Sequence, residues 1–343
     1  MRYGRIRAAA DAEVAYYHCF SRVVDKRFVF GDLEKERFVK FMRAYEEFCG
    51  VRIVTFCVMS NHFHLLVEVP HRPAPELLPT DEELVRLVKV ADCSYGSVQL
   101  ALDLKELREA GSGAEELRER FFSRMWDVSA FLQILKQCFT QWFNGVHDRE
   151  GTLWESRFKS MLVEGAGEAL ATMAAYIDLN PIRAGIVKDP KEYRWCGYAQ
   201  AVQGRKRARE GLRIAIEARF GEEIPMWKVM AFYRKYLFEE GVERLAGEDG
   251  TPARRGFSEA AVEEVLKAGG KLGLYDALRC RMRYFCDGMV LGSKSFVEEF
   301  FRLNRGRFGA RRESGARPLK RLDMPGLYTV RDLRSGVITP SKA

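Results

Sequence analysis

The chain has 343 residues, of which 47% are hydrophobic, a length and composition that suffice for roughly two domains and exclude wholesale disorder. A formal net charge of +8, from 56 basic and 48 acidic residues, mildly favours a polyanionic partner. With no apolar stretch long enough for a membrane span, no signal-peptide core and no CxxC pair among its eight cysteines, the sequence predicts a cytoplasmic protein with reduced thiols and no structural zinc site.

Strand and helix patterns alternate from the start of the chain. Residues 14–24 are rich in β-branched and aromatic side chains and predict a first strand. Apolar side chains at helical spacing follow over 33–50. Residues 51–59 and 62–69 predict two further strands, and the Ser-Asn turn between them favours a hairpin.

The next part of the chain departs from this alternation and then returns to it. Residues 70–125 begin with a proline-rich loop, continue with a charged helical stretch and are interpreted as an insert. A strongly amphipathic pattern then predicts a helix over 127–151. A fourth strand within 151–164 and a helix over 168–181, ended by a proline, complete the series.

This order, β-α-β-β-insert-α-β-α, favours an α+β fold of the ferredoxin-like kind, in which one antiparallel sheet carries helices on one face. We expect residues 1–203 to form this core, with the insert at about 70–125. Composition changes after the core, and residues 204–343 predict a mostly α-helical, basic C-terminal extension with a possible role in DNA recognition.

Two of the five histidines lie one residue apart on the third predicted strand, in the stretch MSNHFHLLVEVP. Side chains alternate between the faces of a strand, so His62 and His64 should share one face while Phe63 points to the other. Two imidazoles on one rigid face can hold a single divalent cation. The alternative is a pair of ordinary hydrogen-bonded histidines.

The helix predicted over 168–181 carries a second pair of interest. Tyr176 and Asn180 are four residues apart and should share a face of that helix. A phenol can act as a covalent nucleophile, and an amide oxygen can ligate a hard cation. The alternatives are a packing tyrosine and an ordinary helix stop, because Asn180 precedes Pro181.

Three stretches, MSNHFHLLVEVP, GTLWESRFK and YIDLNPIRAGIVKDPKEYRWCGY, occur in this order. Together they resemble the single-tyrosine HUH transposases, and specifically the REP-associated tyrosine transposases, over roughly residues 14–200. The resemblance implies an HUH endonuclease core in which two histidines hold Mg²⁺ or Mn²⁺. It also implies a tyrosine that attacks single-stranded DNA, forms a 5′-phosphotyrosine intermediate and allows strands to be cleaved and rejoined.

Carried onto this chain, the resemblance makes Tyr176 the catalytic residue and His62, His64 and Asn180 the metal ligands. It implies a single-stranded or hairpin, REP-like DNA partner and leaves open whether the chain acts as a monomer or a homodimer. His18, on the first predicted strand, has a position compatible with the metal site, although a sheet-buried histidine is the preferred interpretation.

Basic residues supply candidate DNA contacts, with solvated charges or a disordered basic tail as the alternatives. The candidates are Arg157, Lys159, Arg183, Arg305, Arg307, Arg311 and Arg312. Two other functions stay open for the whole chain. One is a non-catalytic DNA- or RNA-binding regulator that retains the HUH fold, and the other is an unrelated metal protein with a packed tyrosine.

Overall fold

The structure is a computed structural model that describes residues 6, 8–9, 12–90, 97–109, 113–238, 272–273, 278, 281–320, 322–331 and 337–338. Its strands are β1 (Val14–Arg22), β2 (Arg52–Val58), β3 (His62–Pro70), β4 (Lys159–Val163), β5 (Leu272–Gly273), β6 (Arg281–Met282), β7 (Val290–Leu291), β8 (Arg317–Pro318), β9 (Leu322–Asp323), β10 (Tyr328–Thr329) and β11 (Val337–Ile338).

The α-helices are α1 (Asp32–Phe48), α2 (Asp81–Val90), α3 (Ser97–Arg108), α4 (Ala114–Phe122), α5 (Val128–Val146), α6 (Glu168–Asp178), α7 (Asn180–Arg183), α8 (Gly197–Val202), α9 (Lys206–Phe220), α10 (Met226–Phe238), α11 (Arg283–Asp287) and α12 (Lys294–Leu303). Among the described helices, none is both long enough and apolar enough to cross a membrane.

A five-stranded sheet with the order β2-β3-β1-β4-β7 organises the fold. β1 pairs antiparallel with β3 and β4, β2 and β3 form the predicted hairpin, and β7 alone runs parallel to its neighbour β4. The order of the elements up to α6 follows the predicted series, with α2, α3 and α4 forming the insert. The α+β class with a mostly antiparallel sheet is confirmed.

Helices pack on both faces of this sheet, whereas the sequence predicted helices on one face. Phe63 and Leu65 of β3 lie in one core with residues of α1 and α5. Leu66 lies in a second core with residues of α6 and α9. The reason is visible in β3, which is buried along nearly its whole length, so apolar side chains on both faces need cover.

The insert packs against the sheet domain as helices. Leu84 of α2, Leu107 of α3 and Phe121 of α4 are buried in the same core as α1. The predicted helical stretch of the insert is thus described in part, since residues 91–96 and 110–112 lie outside the described residues.

The C-terminal extension contributes to the same sheet. α9 lies so close to β2 that a Cβ on Gly211 would overlap the Val54 carbonyl oxygen, which explains the glycine there. β7, also from the extension, adds the strand beside β4. The extension that was predicted to be mostly helical, 204–343, includes residues 239–271, which lie outside the described residues. The domain division at residue 203 stays a prediction, and the sheet extends across it.

A buried carboxyl group ties the second core together. Asp178, with no exposed surface, accepts hydrogen bonds from Thr55 Oγ1 at 2.9 Å, Tyr233 Oη at 2.6 Å and the Tyr198 amide at 3.1 Å. Burial raises the pKa of this carboxyl to about 7 against the effect of these donors. The group joins α6 to β2, α8 and α10.

Replacing Asp178 with alanine should therefore lower the free energy of unfolding by about 3 kcal/mol or more, because three buried donors lose their acceptor. Urea unfolding measures this change. Thr55→Val, which removes only one of the hydrogen bonds, should cost about 1 kcal/mol. Equal, small losses in both variants would contradict a shared role for the carboxyl group.

Candidate active site

The two histidines of β3 lie on the face covered by α6. The ring centroids of His62 and His64 are 5.2 Å apart, and the ring planes are nearly perpendicular. His64 is buried, with 2% of its surface exposed, and His62 is half-buried. His64 lies directly opposite Phe20 of β1, which fixes its place in the sheet.

The orientation of His62 is set by its neighbour in the turn. Its Nδ1 lies 2.6 Å from Asn61 Oδ1. The amide nitrogen of Asn61 donates to the carbonyl of Lys26 at 2.9 Å, so the amide oxygen is the atom that faces the imidazole. A neutral His62 therefore donates from Nδ1 and carries its lone pair on Nε2.

His64 has a third histidine as its partner. Its Nδ1 lies 2.8 Å from His18 Nε2, and His18 Nδ1 lies 2.8 Å from the carbonyl oxygen of Phe285. The His18 and His64 rings stack with centroids 5.1 Å apart. Burial lowers the pKa of His18 to about 4, so this imidazole is neutral at neutral pH.

Tyr176 lies beside these rings. Its ring centroid is 6.2 Å from that of His64, and its hydroxyl forms a 2.9 Å hydrogen bond with the Cys286 thiol. The guanidinium of Arg183 lies 4.1 Å from the tyrosine ring centroid and donates to the Tyr176 carbonyl at 2.6 Å. Only 1% of Tyr176 is exposed.

The sequence of α6 explains how the phenol comes so close to the sheet. Ala171, Ala174 and Ala175 are buried with Tyr176, and their small side chains permit close packing of the helix on β2 and β3. The helix ends at Asp178, and Asn180 begins the short α7. The phenol and the imidazoles thus meet because a small-residue helix crosses the histidine face.

Asn180 has a different environment from the histidines. Its side-chain amide donates to the carbonyl oxygen of Ile177 at 3.1 Å, at the end of α6. Within the described residues, no hydrogen bond joins it to His62 or His64. Both hydrogen bonds that are described for the side chain use the amide nitrogen, so a role as a metal ligand would fall to Oδ1, and this assignment stays a prediction.

The candidate DNA contacts fall into two groups. Arg157, Lys159 and Arg311 are exposed, and Arg307 is half-buried. The other three candidates are arginines that donate hydrogen bonds to backbone carbonyl groups. Arg183 donates to Tyr176 and Leu278, Arg305 to Phe308, Gly309 and Ala310, and Arg312 to Ser314, Gly315 and Val330. These three arginines stabilise loops in the described conformation.

The donor set at the site fits part of a metal coordination shell. Among the described residues, no group of three or more His, Cys, Asp or Glu side chains is arranged to hold a metal ion. His62 and His64 are two imidazoles, and the partners of their Nδ1 atoms favour presentation of Nε2. Two such ligands suit a divalent cation whose remaining positions are filled by oxygen atoms of substrate and water.

Two residues that border this site were not predicted from the sequence, namely Phe285 and Cys286. Both come from α11, and the Phe285 carbonyl lies 267 positions after the histidine that it contacts. His18 was noted, but its contact with His64 depends on the pairing of β1 with β3. Nothing local in the sequence signals either relation.

Comparison with known proteins gives a family match over part of the chain and likenesses to solved structures. Residues 12–78 match the family described as "Transposase IS200 like", which confirms the resemblance for the segment that carries the histidine pair. A solved structure of a REP-associated tyrosine transposase bound to a REP hairpin aligns with 12% identity and a TM-score of 0.38. The alignment covers 59% of this chain and 86% of that chain. No match was found among curated proteins.

Proposed function

We propose, from the premise that residues 12–78 belong to the IS200-like transposase family, that this chain is a DNA transposase that cleaves and rejoins single-stranded DNA through Tyr176. One observation carries the proposal. The ring of Tyr176, on a late helix, lies 6.2 Å from the ring of His64, on a mid-sheet strand. A phenol and an HxH pair far apart in the sequence therefore share one site.

In the proposed reaction, the Tyr176 oxygen attacks the phosphorus of a phosphodiester in line with its 3′ oxygen. The bond between phosphorus and the Tyr176 oxygen forms as the bond to the 3′ oxygen breaks. The phenol loses a proton and the departing strand gains one as its 3′ hydroxyl. The 5′ phosphate stays on the tyrosine as a phosphodiester, so a later 3′ hydroxyl can reverse the step without an external energy source.

His62 and His64 would hold a divalent cation, Mg²⁺ or Mn²⁺, with Asn180 as a further ligand through Oδ1. When bound, the cation supplies Lewis-acid polarisation of the scissile phosphate. The protein residues position the nucleophile: α6 fixes the tyrosine backbone, and Arg183 packs over the phenol ring at 4.1 Å. A cation against that ring also favours the developing phenolate.

A basic side chain beside the histidine pair supports single-stranded or hairpin DNA as the partner. Lys159 pairs with Phe20 across the sheet, and Phe20 pairs with His64, so the three residues form one row on the histidine face. Lys159 is exposed and forms a 2.9 Å ion pair with Asp287. A DNA phosphate would compete with this carboxylate for the ammonium group.

One observation favours the second candidate, a non-catalytic nucleic-acid-binding regulator. Tyr176 is 1% exposed and its hydroxyl is covered by Cys286, so a phosphate reaches the phenol only when that contact opens. A regulator needs no such opening. It would bind DNA without forming a covalent adduct under any metal condition.

A denaturing gel with end-labelled hairpin oligonucleotides distinguishes the two. In Mn²⁺, a label at the 3′ end should migrate with the protein, because the 5′ phosphate of the downstream strand stays on Tyr176. A label at the 5′ end should appear in a shorter free strand with a 3′ hydroxyl. Binding without an adduct, or an adduct that keeps the 5′ label, would overturn the proposal.

Modification of Cys286 should block the reaction. Its thiol lies 2.9 Å from the Tyr176 hydroxyl, and it is half-exposed, whereas the other cysteines that the structure describes are buried. N-ethylmaleimide should lower adduct formation at least about 10-fold by placing bulk beside the nucleophile. Cys286→Ala should stay active after the same treatment. Full activity of protein shown by mass spectrometry to be alkylated at Cys286 would contradict this expectation.

A further inference from the structure

We infer that His18 is a positioning residue of the proposed centre: together with the Phe285 carbonyl, it holds His64 in the tautomer that presents Nε2 to a cation. The inference rests on the proposed function of His64 as a ligand. It adds to that function a third histidine and a backbone group of the C-terminal extension, neither of which contacts the cation itself.

The contact between His18 and Phe285 fixes the position of the His18 proton. The Phe285 carbonyl oxygen lies 2.8 Å from His18 Nδ1, and a carbonyl oxygen can only accept a hydrogen bond. The proton of His18 is therefore on Nδ1. Because a neutral imidazole carries one N–H group, Nε2 of His18 is an acceptor.

The His18 tautomer in turn sets that of His64, whose Nδ1 lies 2.8 Å from the acceptor nitrogen, His18 Nε2. Two acceptors do not form a hydrogen bond, so His64 donates from Nδ1. A neutral His64 then carries its lone pair on Nε2, the form in which imidazole binds a metal ion. The direction of both hydrogen bonds thus follows from one carbonyl oxygen.

The neutral form of His18 follows from its surroundings. The side chain is 2% exposed. Among the described residues, the groups that act on it are His64, Tyr176, the Phe285 carbonyl and the Arg183 guanidinium, with no carboxylate among them. A buried imidazolium without a counter-ion is unfavourable. A charged His18 would reverse the contact and place the His64 proton on Nε2, which gives the inference an observable alternative.

The hydrogen-bond partner of His62 favours the same tautomer in that residue. There the acceptor at Nδ1 is the Asn61 amide oxygen, which is itself oriented by the Lys26 carbonyl. Two unrelated sets of partners, one from a local turn and one from a distant segment, therefore direct both histidines to present Nε2. A shared cation requires one lone pair from each imidazole, and these partners place both lone pairs on Nε2.

Nuclear magnetic resonance of ¹⁵N-histidine-labelled, metal-free full-length protein tests the inference. We expect His18 and His64 to show a protonated nitrogen at Nδ1 and an unprotonated one at Nε2. His18→Gln, whose amide can accept from His64 and donate to Phe285, should keep the His64 tautomer. His18→Leu should move the His64 proton toward Nε2 and weaken Mn²⁺ binding about 10- to 100-fold.

The control is His71→Leu, which removes an exposed histidine bonded to the Arg72 carbonyl and should change neither signal. A His64 proton on Nε2 in the unmodified protein would overturn the inference, whether or not the His18→Leu variant folds. A folded His18→Leu variant with an unchanged His64 tautomer and an unchanged Mn²⁺ affinity would also overturn the inference. Because the spectrum needs neither metal nor DNA, a failure of strand cleavage would refute the proposed function without changing this result.

Discussion

Replacing Tyr176 with phenylalanine should abolish the covalent protein–DNA adduct and lower the rate of strand cleavage by at least about 1,000-fold. The variant loses only the oxygen atom that becomes bonded to phosphorus. The ring keeps its edge contact with Phe285, at 4.9 Å between centroids, and its contact with Arg183. Single-turnover cleavage of a labelled hairpin oligonucleotide in Mn²⁺ measures the change.

Tyr198→Phe is the matched control, because Tyr198 is an equally buried residue of the second core whose hydroxyl accepts a hydrogen bond from the exposed Arg234. That variant should form the adduct at a rate close to that of the unmodified protein. If Tyr176→Phe and Tyr198→Phe had the same small effect, Tyr176 would be a packing residue, and the nucleophile would have to be sought elsewhere.

Replacing His62 or His64 with alanine should lower metal-dependent cleavage by about 100-fold or more while DNA binding changes far less. Each variant removes one of the two imidazoles, whereas the groups that would contact DNA phosphates, such as Lys159, stay in place. Cleavage rates and DNA affinities at one salt concentration, measured side by side, separate the two effects.

His147→Ala provides the comparison for these variants, since His147 lies on the other side of the sheet domain, where its ring contacts Glu34 at 3.0 Å. It should leave cleavage unchanged. Equal loss of binding and cleavage in the His62 and His64 variants would mean that the pair stabilises the fold or contacts DNA, and it would count against a catalytic cation.

The parts of the site that could be predicted from the sequence depend on short-range geometry. The two-residue period of a strand places His62 and His64 on one face whatever the rest of the fold does. A helical pattern likewise identifies α6, and the small residues around Tyr176 belong to it. The family match to residues 12–78 then gives the histidine pair its context.

The pairing register between strands could not be predicted in the same way. His18 reaches His64 because β1 pairs with β3 in a register that sets His18 opposite Leu66, two residues along from the Phe20–His64 pair and on the same face. A different register would change the residues that meet across the strands. The sequence alone therefore identified a buried histidine without identifying its partner.

Tertiary contacts from the extension were the least predictable feature. Phe285 and Cys286 reach the site because β7 joins the sheet beside β4, and a two-residue strand leaves almost no periodic signal. Arg183 and Arg312, whose charges predicted DNA contacts, likewise donate hydrogen bonds to carbonyls of residues distant in sequence, Leu278 and Val330. The carbonyls bonded by Arg305 lie within five residues of it.

The most direct test uses a hairpin oligonucleotide whose scissile 3′ oxygen is replaced by sulfur, at the cleavage position found with the labelled strands. The thiol that leaves rejoins the strand poorly, so the adduct should accumulate and can be digested for mass spectrometry. We expect a 5′-phosphodiester on the peptide that contains Tyr176. Cleavage with the phosphate on a different residue, or with no covalent adduct, would contradict it.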